Sequence, residues 1–188
     1  MSDQSVFTLP PIFSLRPIKP NDIPSERDLI RSAQLLLQES KNWPESKMKP
    51  TDASKSTPAI IQTFCSAEQK STETTGGSKS PPWNGVVVTL DKDDLSFTSL
   101  WSRVGSHPVK SQQRMIISIP IDLSKDQLLA ELEEKGVKGK CATVEMIQEL
   151  EGDKVEWRRL TCISPGGLLP RLFDEKLARG RLVEVSPD

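Results

Sequence analysis

The run Glu156-Trp157-Arg158-Arg159 sets a carboxylate, a large amphipathic ring and two guanidinium groups side by side. A guanidinium holds a carboxylate or phosphate through paired hydrogen bonds, and an indole offers apolar area with a single N–H donor. That combination suits the head and body of an amphipathic ligand, with Trp157 lining a cavity and a guanidinium meeting a headgroup. The plainer alternative is a core tryptophan between two surface arginines. Nucleophilic catalysis has little to work with. The one histidine, His107, precedes Pro108 in a segment that reads as a solvated loop. Glu145, Glu149 and Glu156 can approach one another on a hairpin, but acid–base work needs them in a dry pocket, and outward strand carboxylates ordinarily face water. No nucleophile elbow, phosphate-cradling glycine loop or His-Glu-x-x-His pattern occurs.

Cys65, Cys141 and Cys162 are odd in number and widely spaced, which supports neither a zinc site nor a disulfide framework. Cys141 and Cys162 are candidate cross-strand neighbours, expected as buried reduced thiols. The expectation is therefore no catalytic residues, no metal, no cofactor and no enzyme. Lys+Arg 25 against Asp+Glu 26 leaves a net charge of −1, so no global field favours nucleic acid. No window approaches the roughly 20 apolar residues of a membrane span, and the N-terminus lacks a basic, then apolar, leader. A cytoplasmic protein is expected.

The elements that must position these groups follow from pattern and punctuation. Prolines 10, 11, 17, 20 and 24 predict an extended lead-in over 1–24. Ser25, with Asp28 three residues on, predicts a helix cap, and Leu29, Ile30, Ala33, Leu36 and Leu37 give the helix an apolar stripe through about Glu39. Residues 25–188 read as a single domain with a disordered Ser/Thr/Lys/Pro-rich insertion at about 41–82, broken by a candidate strand at Ala59–Cys65. Trp83–Leu90 is β-branched and reads as a strand. Phe97, Leu100, Trp101 and Val104 share a helical face. Met115, Ile117, Ile119 and Ile121 alternate in a strand that Pro120 confines to an edge or an end. Ser124 with Gln127 predicts a helix over Lys125–Glu134. Ala142 to Leu150, the turn Glu151–Lys154 and Val155 to Ile163 form the clearest hairpin, in which Val155, Trp157, Thr161 and Ile163 share a face. After Pro165-Gly166-Gly167, the stripe Leu168, Leu169, Leu172, Phe173 and Leu177 predicts a helix laid across a sheet.

Glu156-Trp157-Arg158 leading to Pro165-Gly166-Gly167 and Pro170, together with Ile116–Ser124 and Leu132–Lys140, resembles the fungal START-like domain family. That family, of unknown function, is related to the steroidogenic-acute-regulatory-type lipid-transfer domains. The resemblance implies an α+β helix-grip fold, in which a curved antiparallel sheet holds a long C-terminal helix around a tunnel for one apolar ligand of the sterol or phospholipid class. It implies lipid-lining roles for Trp101, Met115, Ile117, Ile119, Val144 and Met146 on the earlier elements. Val155, Trp157, Arg158, Leu169 and Phe173 would complete the lining.

The chain departs from the family's pattern in three places. Asn84-Gly85-Val86-Val87-Val88 follows Trp83 where members carry arginine, serine and histidine, only Ser111-Gln112-Gln113 separates Lys110 from Arg114 where further strands are usual, and the C-terminal helix stops by Asp188. The expectation is an incomplete grip, binding lipid if the sheet still closes, with apolar surface bared along Met115, Ile117 and Ile119. The alternative is a non-enzymatic interaction module whose sheet edge a protein partner covers.

Overall fold

The computed structural model describes residues 11–45, 60–66, 81–91, 113–132, 136 and 139–164. Five strands, β1 (Ile60–Cys65), β2 (Asn84–Asp91), β3 (Gln113–Ser118), β4 (Lys140–Leu150) and β5 (Lys154–Ser164), make one open antiparallel sheet in the order β1-β2-β5-β4-β3. With its helices this is an α+β arrangement. The β4–β5 hairpin is its centre, and its turn uses Gly152 (φ 73°) and Asp153 (φ 54°), the residue types that accept left-handed backbone most readily. Because side chains alternate, the turn's register decides which residues share a face.

One face is the main core. Val87, Leu160, Cys162, Ala142, Val144, Met146 and Phe64 lie on it, and Ala33, Leu36 and Leu37 of α1 (Glu26–Glu39) pack against them. Ser25 caps α1, its Oγ accepting from the Asp28 N–H (3.2 Å) and donating to the Asp28 carboxylate (2.6 Å). Gly85 sits beneath the Phe64 ring, where any Cβ would collide with it. The lead-in is part of this core rather than an extended approach to it. Phe13 is only 1% exposed and meets Trp83 edge-on at 5.8 Å. Two 3-10 turns, Pro11–Phe13 and Pro20–Asp22, replace extended chain there.

The N-terminal segment also reaches both sheet edges. Ile18 bridges Ile121 in parallel, donating to Pro120 O and accepting from the Asp122 N–H at 2.9 Å each, beyond β3. Glu45 bridges Phe64, and Pro44 O accepts from the Cys65 N–H at 3.2 Å, beside β1. The candidate strand within the Ser/Thr/Lys/Pro-rich insertion is present as Ile60–Cys65, where it forms a sheet edge.

Further corrections concern local chemistry. The short helix α2 (Gln127–Leu132) starts later than Lys125, and its cap is Asp126, whose Oδ1 accepts from the Leu129 N–H at 3.1 Å. Ser124 instead serves Asp122, donating its N–H to Oδ1 at 3.0 Å. The Ser124 hydrogen bonds, with Lys19 and Lys125 nearby, hold the Asp122 carboxyl below its ordinary range. Cys141 pairs with Ile163 and Cys162 with Ala142, so the two thiols point to opposite faces, Cys141 exposed and Cys162 buried. Met115, Ile117 and Ile119 are half-buried against the core rather than bared, because strand alternation turns Met115 and Ile117 toward the α1 side and Ile119 packs against the same cluster. The expected helices around Trp101 and Leu169 lie outside the described residues.

Candidate functional site

Strand parity divides the candidate residues between two faces. Met115, Ile117, Val144, Met146 and Arg158 lie on the face that α1 covers, with Ile119 packed against the same cluster. Val155 and Trp157 lie on the other face. Trp101, Leu169 and Phe173 fall outside the described residues.

Arg158 is tied up within the fold. It is 8% exposed, its Nη1 donates to Ser40 Oγ at 3.3 Å, its Nε donates to Glu156 Oε1 at 3.2 Å, and its guanidinium stands 5.4 Å from the Phe64 ring centroid. Ser40 in turn donates to Leu37 O at 2.7 Å. Arg158 thereby joins the end of α1 to β5 and β1, with the ring face attracting the cation.

The second face is organised as cross-strand rows. Ile61, Val88, Trp157, Ile147 and Arg114 form one row, flanked by Leu90, Val155 and Glu149. Val86, Ile147, Val155 and Trp157 are buried as a second apolar cluster, with Ile61 and Val88 against it, and no described helical residue belongs to it. The adjoining row is Thr63, Val86, Arg159, Glu145 and Ile116, and the next is Cys65, Asn84, Thr161, Thr143 and Ser118. The Trp157 and Val155 rows are apolar toward β1 and carry Arg114 and Glu149 toward β3, and the rows beyond them are more polar.

At the polar end, Arg159 stands directly across from Glu145, with Nε 3.5 Å from Oε1 and side chains 26% and 20% exposed. Arg159 Nε and Thr161 Oγ1 are buried and have no hydrogen-bond partner. Groups of that kind are costly in an interior unless something pairs with them. Glu149 shares this face, whereas Glu156 lies on the opposite one with Arg158, so the three glutamates do not converge. Arg159, Glu145, Thr143 and Thr161 are polar residues of this face that lie outside the expected lipid lining, although the sequence spacing sets Thr161 beside Trp157. Their odd numbers in β4 and β5, shared with Val155 and Trp157, are the signal that finds them.

Elsewhere, an open groove along α1 is lined by Glu26, Arg27, Ile30, Arg31 and Gln34 and includes no sheet residue. Among the described residues no cluster of His, Cys, Asp or Glu fits a metal, and no helix is long and apolar enough to cross a membrane. The profile of a family described as a protein of unknown function (DUF3074) matches residues 33–184. No curated protein matches the chain.

Proposed function

The chain belongs to the DUF3074 family, and on that footing we propose that it is a lipid-binding module, without enzymatic activity, whose ligand lies along the Trp157 face. The observation that carries this reading is the pairing of a buried apolar cluster, Val86, Ile147, Val155 and Trp157, with two buried polar groups that make no hydrogen bond, Thr161 Oγ1 and the Arg159 Nε that stands 3.5 Å from Glu145, on one face. An amphipathic ligand satisfies both ends. Its body meets the apolar cluster, and its head pairs with groups that otherwise stay unsatisfied. From Thr161 to Val155 the strand runs about 20 Å, room for a sterol or acyl body.

The reading extends to a helix-grip closure of the sheet over one ligand and to lipid transfer in the cytoplasm, a setting with which Cys65, Cys141 and Cys162, none of them in a disulfide, are compatible. The test is native mass spectrometry of the purified full chain after incubation with sterol-containing or phospholipid vesicles. One lipid per folded chain is expected. A chain that keeps its far-ultraviolet dichroism yet takes up no lipid contradicts the proposal. A second reading, a partner strand added to the edge of β3, draws on the position of β3 as the last strand of the sheet, and a stable hetero-complex without lipid would favour it.

A further inference from the structure

We infer that the Trp157 face selects lipids whose head is uncharged and bears a hydroxyl, with Thr161 as its hydrogen-bond partner and Glu145 as the residue that turns anionic heads away. This rests on the lipid-binding reading above. Thr161 is 3% exposed and its Oγ1 has no partner. A hydroxyl both donates and accepts, so the group that completes it best is another hydroxyl. The row around it, Cys65, Asn84, Thr143 and Ser118, carries no ionised side chain.

The only formal charges in the next row are Arg159 and Glu145, and they oppose each other across the β4–β5 pair. Their sum is zero. A phosphate drawn to Arg159 meets the Glu145 carboxylate at the same place, where partial burial weakens solvent screening of the repulsion. A hydroxyl oxygen meets no such penalty and can accept from the Arg159 Nε–H, which stands 3.5 Å from Glu145 without a hydrogen bond. Glu145 therefore acts as a selector by neutralising Arg159, the cation of the row next to Thr161.

The experiment uses the full chain with three probes presented in phosphatidylcholine vesicles: dehydroergosterol, dioleoylglycerol and dioleoyl phosphatidic acid. The unaltered chain is expected to retain one or both hydroxyl lipids in preference to phosphatidic acid. Thr161→Val should weaken hydroxyl-lipid binding about tenfold, and Thr161→Ser should restore it, as loss and return of one hydrogen bond in a dry site imply. Glu145→Gln should raise the affinity for phosphatidic acid about tenfold by freeing the Arg159 charge. Glu131→Gln, the same change of charge on exposed α2, should alter nothing. Equal retention of phosphatidic acid by the unaltered chain, or an unchanged preference in Glu145→Gln while lipid still binds, overturns the head-group inference alone. Absence of every lipid from the folded chain overturns the reading beneath it.

Discussion

Arg159 and its neighbour Arg158 are adjacent in sequence but serve opposite faces of the sheet. Arg158 is enclosed under α1 by Ser40, Glu156 and Phe64, whereas Arg159 faces Glu145 beside the Trp157 cluster. The pair separates two jobs. One guanidinium fastens a helix to the sheet, and the other stands beside Glu145 on the candidate ligand face with an Nε–H that makes no hydrogen bond. Substitutions at the two positions should behave accordingly.

Arg158→Ala removes the donors that Ser40 and Glu156 receive and should cost about 2–3 kcal/mol, the range for hydrogen bonds to charged groups. Arg158→Met keeps the packing volume and should cost clearly less, since apolar replacement of a buried ionic contact is often close to neutral. Urea midpoints of the two variants measure the difference, and equal losses would count against the fastening role.

Trp157, 4% exposed in the second cluster, should cost about 3–5 kcal/mol on truncation to alanine. An unchanged denaturant midpoint would show that the ring is not packed as described.

Gly85→Ala should destabilise by about 1–3 kcal/mol, because the new methyl has no room beneath Phe64. Phe64→Leu in the same chain should recover part of that loss. A double-mutant cycle reads this as non-additivity, and strict additivity would place the cost elsewhere.

How much of this was legible in the sequence depends on how local the deciding interaction is. The Ser25–Asp28 cap, the α1 stripe and the β4–β5 hairpin rest on neighbours a few residues apart, and the expected elements match α1, β4 and β5 closely. Phe13 was missed because its burial depends on Trp83, a partner seventy positions away that no local pattern announces. Asp126 replaces Ser124 as the α2 cap because the helix starts at Gln127, which sets the Asp126 carboxylate beside the Leu129 N–H. The candidate site was partly legible. The spacing sets Thr161 on the face of Val155 and Trp157, as the structure has it, but grouping Arg158 with them ignores the alternation that puts Arg159 there instead. The role of Glu145 requires the β4–β5 register, which only the turn geometry settles.

Burial pushes the Cys162 thiol up from 9.0 to about 12, with Cys141 adding a smaller push in the same direction. The folded state thus disfavours the thiolate. Stability from this group is full below pH 9 and declines as pH rises from there toward about 12. Iodoacetamide applied to the folded chain near neutral pH should therefore modify exposed Cys141 and spare Cys162, with peptide mass spectrometry as the readout. Prompt modification of Cys162 would contradict its burial.

Fluorine NMR of the full chain grown with 5-fluorotryptophan tests the central claim most directly, because the four tryptophans give separate reporters. Trp43 packs near Phe64 on the α1 side, and Trp157 lies on the opposite face, so the two distinguish where a ligand sits. With Trp157 assigned through Trp157→Phe, addition of a hydroxyl-bearing lipid should shift its resonance until one lipid is bound per chain and leave that of Trp43 in place. A titration that moves Trp43 but not Trp157, or moves neither, would contradict the account.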